Sequence, residues 1–411
     1  MPRRYWVETL GCPKNQVDSD KLVGTLVADG YEAADSPGDA DLVVVNTCAF
    51  IDAARQESID TVLTLSDARR DGARLVVTGC MAERYGDELS ESLPEADLVA
   101  GFGVPVTLGR KAAGDVPSFD LLNLVRPPAT APWAYVKVAE GCDRVCGFCA
   151  IPSFRGKQRS RPLDVVLAEV DALDAKEIVL VAQDLASYGS DLGDRGAIVP
   201  LVEAVAARVP RTRLLYLYPS SLTDGLIDVI GATGVPYFDL SLQHVSRPLV
   251  QRMRRWGDGA RFLERIQAIR SRYPDAAFRS SFIVGYPGET EDDHDQLLSF
   301  VEEAQLDWGA FFAFSPEDGT YAVELDGQVD PSLVAERLKE LGELQDAITA
   351  SRRDALVGAR CDVLVDAPGV ARSHREAPEI DGVITVPESL AVGTFATVTV
   401  TGAAGPDLEA A

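Results

Sequence analysis

Cys142, Cys146 and Cys149 stand in the run EGCDRVCGFC, a CxxxCxxC set placed directly after the strand-like segment Trp133–Ala139. Three thiolates so close in sequence can face one inorganic centre, and the absent fourth cysteine defines the chemistry. A structural zinc site closes with four ligands, usually in CxxC pairs, whereas His244, His294 and His374 lie far off in sequence without ligand spacing. A cubic 4Fe-4S cluster held by three cysteines leaves one iron open for a small molecule to chelate. Spacing and strand-end placement favour iron and sulfur over zinc or a plain turn.

Cys12 follows YWVETLG, Cys48 follows DLVVVNT and Cys80 follows LVVTG. Each comes after the carboxyl end of a predicted parallel strand, the edge of an open α/β sheet where ligands bind. Singly, each passes for a small buried apolar residue. The same position three times points to a second three-cysteine cluster, assembled from residues far apart in sequence. Cys361 begins the strand-like run CDVLVD without a partner nearby and is assigned to structure. Seven cysteines in 411 residues are an odd count and too few for a disulfide framework, which again favours metal or redox chemistry.

The elements that must position these residues follow from the patterning. Tyr5–Leu10, Asp41–Asn46 and Arg74–Thr78 read as strands, each followed by an amphipathic helical stretch (Val17–Asp29, Ile51–Leu65, Ala82–Leu89), the pattern of a parallel α/β sheet. Residues 113–131 are proline-rich and lack periodicity, as suits a linker. Six further strand-like runs with helices between them (Trp133–Ala139, Glu177–Val181, Arg213–Leu217, Tyr237–Leu242, Phe278–Val284 and Trp308–Phe314) predict a complete or incomplete βα barrel with its chemistry at the carboxyl ends of the strands. A long charged helix over Pro331–Leu356 precedes short strands at Cys361–Val365, Gly382–Ile384 and Phe395–Val400 that read as a small β-barrel. The expected domains are 1–120, 128–350 and 352–411.

The formal net charge is −25, with 11 basic and 21 acidic residues before residue 121 and 5 against 9 from Arg352 onward. A broad basic surface for nucleic acid or anionic lipid is therefore disfavoured, and basic partners are favoured. Phe395 is the only aromatic residue after Arg352, too few for a base-stacking groove. Acidity serving solubility alone is the competing explanation. No apolar run approaches the ~18 residues of a membrane span, and Met1–Gly11 alternates like a strand rather than a signal peptide, so a cytoplasmic location is expected.

At these residues the sequence resembles the radical S-adenosylmethionine (SAM) methylthiotransferases, from about Tyr5 to the C-terminus. Both cysteine sets match that family's two 4Fe-4S clusters, and AIPSFRGKQRSRP (150–162), VLVAQDLASYG (179–189), SLQHVSRPLVQRMRR (241–255) and FIVGYPGETEDD (282–293) match in order. Ala150 departs from the isoleucine common there, without consequence for ligation. One branch modifies transfer RNA adenosine, the other an aspartate of small-subunit ribosomal protein S-twelve. Gly11-Cys12-Pro13-Lys14-Asn15 and RSHREAPEIDG (372–382) resemble the second, RimO-type branch.

The resemblance implies an N-terminal methylthiotransferase domain, a radical SAM core built as a partial TIM-type barrel, and a TRAM-like β-barrel. It also implies that Cys142, Cys146 and Cys149 hold the cluster that binds SAM and breaks a carbon-sulfur bond, and that Cys12, Cys48 and Cys80 hold the cluster that carries the sulfur. The alternatives are a tRNA methylthiotransferase with the same cofactors and a non-catalytic iron-sulfur protein. An electron donor such as flavodoxin or ferredoxin is expected; nucleic acid is not the primary partner. Gly285, Pro287, Gly288 and Glu289 fit either a cofactor-binding turn or a plain strand-to-helix turn, and Gln183 and Asp184 either ligand binding at the barrel mouth or helix capping. His244 with Gln243 fits either substrate contact or hydrogen bonding within the barrel. Arg155, Arg159 and Arg161 fit either recognition of the substrate carboxylate or a solvated basic loop. Glu376, Glu379 and Asp381 are expected to offer negative charge to a basic partner.

Replacing Cys142, Cys146 and Cys149 together with alanine should remove about half the bound iron and abolish reductive SAM cleavage; 5′-deoxyadenosine formed by that variant would contradict the assignment.

Overall fold

The computed structural model describes residues 2–104, 106 and 120–411, and its chain divides into two compact units. The linker expected over 113–131 lies partly outside the described residues.

The first unit comprises residues 1–128, 139–144 and 150–172. Its centre is a parallel sheet of β1 (Arg3–Thr9), β2 (Tyr31–Ala33), β3 (Leu42–Thr47), β4 (Arg74–Gly79) and β5 (Leu98–Ala100), in the order β2-β1-β3-β4-β5. The short edge strands β2 and β5 are too brief to leave a period in the sequence. The central β3 is buried throughout, and reads as a continuous run, LVVVNT, because helices cover both faces of a parallel sheet. The helices α1 (Pro13–Ala28), α2 (Asp52–Ala68) and α3 (Cys80–Ser92) follow β1, β3 and β4. One core joins Val43, Val45, Leu75 and Val77 to Val62, Leu65 and Met81; another joins Val44 and Val76 to Leu22 and Leu26.

The second unit contains six parallel strands: Trp133–Lys137, Glu177–Val181, Arg211–Leu214, Tyr237–Gln243, Ala277–Val284 and Trp308–Ala313. They form two three-stranded sheets joined by a parallel bridge between Leu217 and Leu240, so spatial order follows chain order across six βα units. Among the described residues no pairing closes the last strand on the first, which makes this a partial barrel. The C-terminal strands, among them Arg360–Ala367 and Phe395–Ala404, form a closed five-stranded barrel around Val363, Val365, Ile384, Val398 and Val400. Cys361 packs at the edge of that core.

The segment Arg372–Asp381 packs against the amino-terminal ends of the six-strand array. The fully buried Glu177, at the start of its strand, accepts from Arg213 Nε (2.7 Å) and Arg372 Nη1 (3.3 Å). Tyr135 Oη donates to the Pro378 carbonyl, Tyr237 Oη to Asp381 Oδ2 (2.6 Å), and Trp308 Nε1 to the Arg375 carbonyl (2.7 Å). Glu376 is fully buried, paired with Arg353 and accepting from the Ser373 N–H and hydroxyl. The expectation that Glu376, Glu379 and Asp381 form a docking surface is therefore corrected. Glu379 is exposed, but the side chains of Glu376 and Asp381 are buried because they satisfy arginines and backbone donors inside this unit.

Removing one partner of such a buried ion cluster leaves charge uncompensated, so Glu177→Gln should cost about 3–5 kcal/mol. Urea unfolding followed by circular dichroism should show the midpoint moving to lower denaturant; an unchanged midpoint would contradict the bracing role.

Candidate iron-sulfur and cofactor sites

Parallel register sets the first site. Thr9 pairs with Asn46 and Thr47 with Gly79, so the carboxyl ends of β1, β3 and β4 finish level and deliver Cys12, Cys48 and Cys80 side by side. Close packing there demands two glycines. Gly11 has φ +93°, and a Cβ on it would lie 2.9 Å from Cys48 Cβ and Sγ. Gly79 has φ +91°, and its Cβ would lie 2.3 Å from Asn46 Oδ1. Ser58 clamps Cys48 by accepting from its N–H and donating to its carbonyl, both at 3.1 Å. Asn15 donates to the carbonyls of Leu10 (2.9 Å) and Thr47 (3.0 Å), tying the loops after β1 and β3 together.

The thiols differ in their readiness to ionise. Burial pushes Cys48 up to about 12, against a partial offset from the Phe50 N–H. Burial likewise raises Cys80, although Arg155 opposes it. At Cys12, desolvation is outweighed by the charges of Lys14 and Arg155 and by the N–H groups of Asn15 and Lys14, and the thiol falls below its ordinary value. Cys12 caps α1 and Cys80 opens α3, where helix dipoles favour a thiolate.

Arg155 belongs to this unit and is buried. Its Nη2 donates to Cys80 Sγ (3.0 Å) and Asn15 Oδ1 (2.7 Å), and its Nη1 to Glu140 Oε1 (2.8 Å) and Asp18 Oδ2 (3.3 Å). The guanidinium lies 4.5 Å from the centre of the Phe102 ring. Arg161 pairs with Glu169, which Lys21 and Arg126 also meet, and Arg159 makes an exposed bidentate pair with Asp120. The solvated-loop reading is corrected for Arg155 and Arg161, which are buried internal ion partners. Asn15, Asp18 and Glu140 escaped the sequence reading as site residues; the available signal was Asn15 and Asp18 at i and i+3 on the helix opened by Cys12.

Among the described residues no three His, Cys, Asp or Glu side chains form a ready metal cage. The fold instead supplies three thiols past adjacent strand ends, one of them in hydrogen-bond contact with Arg155. Such thiols suit a cubane, whose irons spread their ligands more widely than one tetrahedral ion does, and the donor set is all sulfur.

Cys142 belongs to the first unit and Cys146 and Cys149 to the second. The Cys142 N–H donates to the Gly156 carbonyl (3.0 Å), and the Arg144 N–H to Cys142 Sγ (3.4 Å). In the second unit Arg255 Nη1 donates to Cys146 Sγ (3.1 Å) while its guanidinium lies 4.3 Å from the centre of the Tyr218 ring. Arg255 was also missed, although it closes the run QRMRR.

Gln183, Asp184, His244, Gly285, Pro287, Gly288 and Glu289 all follow the carboxyl ends of barrel strands. Asp184 accepts from the Ser187 hydroxyl (2.6 Å). Glu289 accepts from the N–H groups of Gly285 (2.5 Å) and Tyr286 (3.3 Å) and pairs with Arg337, so its carboxylate braces its own turn. His244 is fully buried and accepts from the Ser246 N–H at Nδ1; burial holds it neutral, near 4. The internal hydrogen bond agrees with the structural of its two readings.

The family model described as "Uncharacterized protein family UPF0004" matches residues 4–101, that of the radical SAM superfamily 136–301, and that of the TRAM domain 357–411. A ribosomal protein uS12 methylthiotransferase RimO from Moorella thermoacetica is 43% identical over 93% of both chains, and one from Cutibacterium acnes 40% identical over 98% of this chain and 96% of its own. Among solved structures, the radical SAM methyltransferase TsrM from Kitasatospora setae shares the fold with a TM-score of 0.56 at 13% identity, over 85% of this chain and 89% of that one.

Since an alanine Cβ at Gly11 would press on Cys48, Gly11→Ala should forfeit the iron held by Cys12, Cys48 and Cys80 while leaving that of the CxxxCxxC set. Iron analysis combined with the Cys142, Cys146, Cys149 triple variant checks this; undiminished iron would show that the close approach is not required.

Proposed function

Because the chain belongs to the ribosomal protein uS12 methylthiotransferases of the radical SAM superfamily, we propose that it adds a methylthio group to the β-carbon of an aspartate of that small-subunit protein. Two 4Fe-4S clusters and SAM are its cofactors. Cys142, Cys146 and Cys149 hold the cluster that engages SAM; Cys12, Cys48 and Cys80 hold the one that presents sulfur. The observation carrying this reading is the convergence of Cys12, Cys48 and Cys80 on level strand ends, which a core of small apolar residues would not require. When bound, SAM and its cluster supply one-electron chemistry able to activate an aliphatic C–H bond beyond the reach of a general base.

The chain's own residues provide placement. Segments 1–120, 128–350 and 352–411 divide the work into sulfur delivery, radical generation and support. Gln183 and Asp184, at the carboxyl end of their strand, are the candidates for contacts to SAM or the target. Glu289 holds the turn Gly285–Gly288 in shape by accepting from the N–H groups of Gly285 and Tyr286. Arg255 sets a positive charge on Cys146. A net charge of −25 favours encounter with a basic ribosomal protein, chiefly through the on-rate. Among the described residues no helix is long and apolar enough to cross a membrane, in keeping with action in the cytoplasm. A small flavodoxin- or ferredoxin-type protein supplies the electron.

Deleting the gene should leave uS12 lacking the mass of one methylthio group in place of hydrogen, as read by intact-mass spectrometry. Reintroducing Cys48→Ala should leave SAM cleavage in place and transfer lost; full modification by that variant would remove the second cluster from the mechanism.

A further inference from the structure

Arg155 has no part in the proposed chemistry beyond its nearness to the thiols, yet its placement is unusual for a structural ion partner. A guanidinium buried in a protein normally finds carboxylates and backbone carbonyls. Here one nitrogen bonds Asp18 and Glu140, and the other turns from them to Cys80 Sγ and Asn15 Oδ1. Asn15 is the same side chain that ties the loops bearing Cys12 and Cys48. The charge of Arg155 also acts on all three thiols. It ends the short helix Ile151–Arg155, whose Phe154 packs on the core beside Cys80, so its position is set by the fold rather than by a free side chain.

We propose that Arg155 is a positioning residue for the second cluster, offsetting the charge of the three thiolates and any anionic sulfur bound to it, and so setting its reduction potential. Three thiolates around a 4Fe-4S core give a net negative charge in a site from which water is largely excluded. A fixed cation in hydrogen-bond contact with one ligand sulfur favours both retention of that charge and addition of an electron, and hydrogen bonds to sulfur and local charge are known levers on such potentials. Glu140 and Asp18 hold the guanidinium in place and moderate its field. The inference rests on Cys12, Cys48 and Cys80 holding a cluster.

The test uses the full chain carrying Cys142→Ala, Cys146→Ala and Cys149→Ala, so that only the second cluster is present, reconstituted without oxygen. Its midpoint potential is measured by a redox titration followed by electron paramagnetic resonance. Arg155→Gln should move the midpoint to a more negative value, Arg155→Lys should restore most of the difference, and Glu140→Gln should move it the other way. Loss of iron to a chelator should quicken about tenfold with Arg155→Gln. A glutamine variant that holds its iron at an unchanged potential overturns the role given to Arg155. Should glutamine prevent assembly, Glu140→Gln decides, and an unchanged potential there is equally fatal. Absence of iron from the three-alanine parent would instead overturn the cluster assignment beneath the inference.

Discussion

Parallel strands that end level are the constraint on which the first site depends. In a parallel sheet each neighbouring pair runs in the same sense, so the residues just past their ends meet at one edge. The register of β1, β3 and β4 puts Gly11-Cys12, Thr47-Cys48 and Gly79-Cys80 at that edge. The glycines remove the side chains that would prise these turns apart, Ser58 fixes both backbone groups of Cys48, and Asn15 joins two of the loops. A register slip of one residue in β3 would turn Cys48 away and break the set.

Charge placement follows the same logic in two places. Cations stand on cysteine sulfur at Cys80 and at Cys146, through Arg155 and Arg255. Both arginines lie against an aromatic ring, Phe102 and Tyr218, which orients the planar group and limits its access to water. Elsewhere buried charge is structural, as Glu177, Arg213, Arg372, Arg353 and Glu376 join the C-terminal segment to the amino-terminal ends of the barrel strands. The carboxyl ends of those strands are thereby left to Gln183, Asp184 and the turn at Gly285.

Much of this was legible from the residues in order. Three strand-helix units, six βα units, a long helix entered through Pro331 and a closing β-barrel follow from hydrophobic period and from Gly and Pro punctuation, because those signals arise within a few residues of chain. The placement of Cys12, Cys48 and Cys80 just past strand ends was legible for the same reason. The edge strands β2 and β5 and the strands Val370–Arg372 and Asp407–Ala410 stayed hidden, being too short to show alternation.

What only tertiary structure decided was the partner of each charged side chain. Glu376 and Asp381 look like surface acid in the sequence, and Arg155 looks like a basic loop residue; all three side chains are buried because arginines, carboxylates or thiols distant in the chain satisfy them. A charge declares its sign in the sequence but not its neighbours. Desolvation and pairing are set by residues that meet only after the strands align, as Arg155 meets Cys80 across 75 residues of chain.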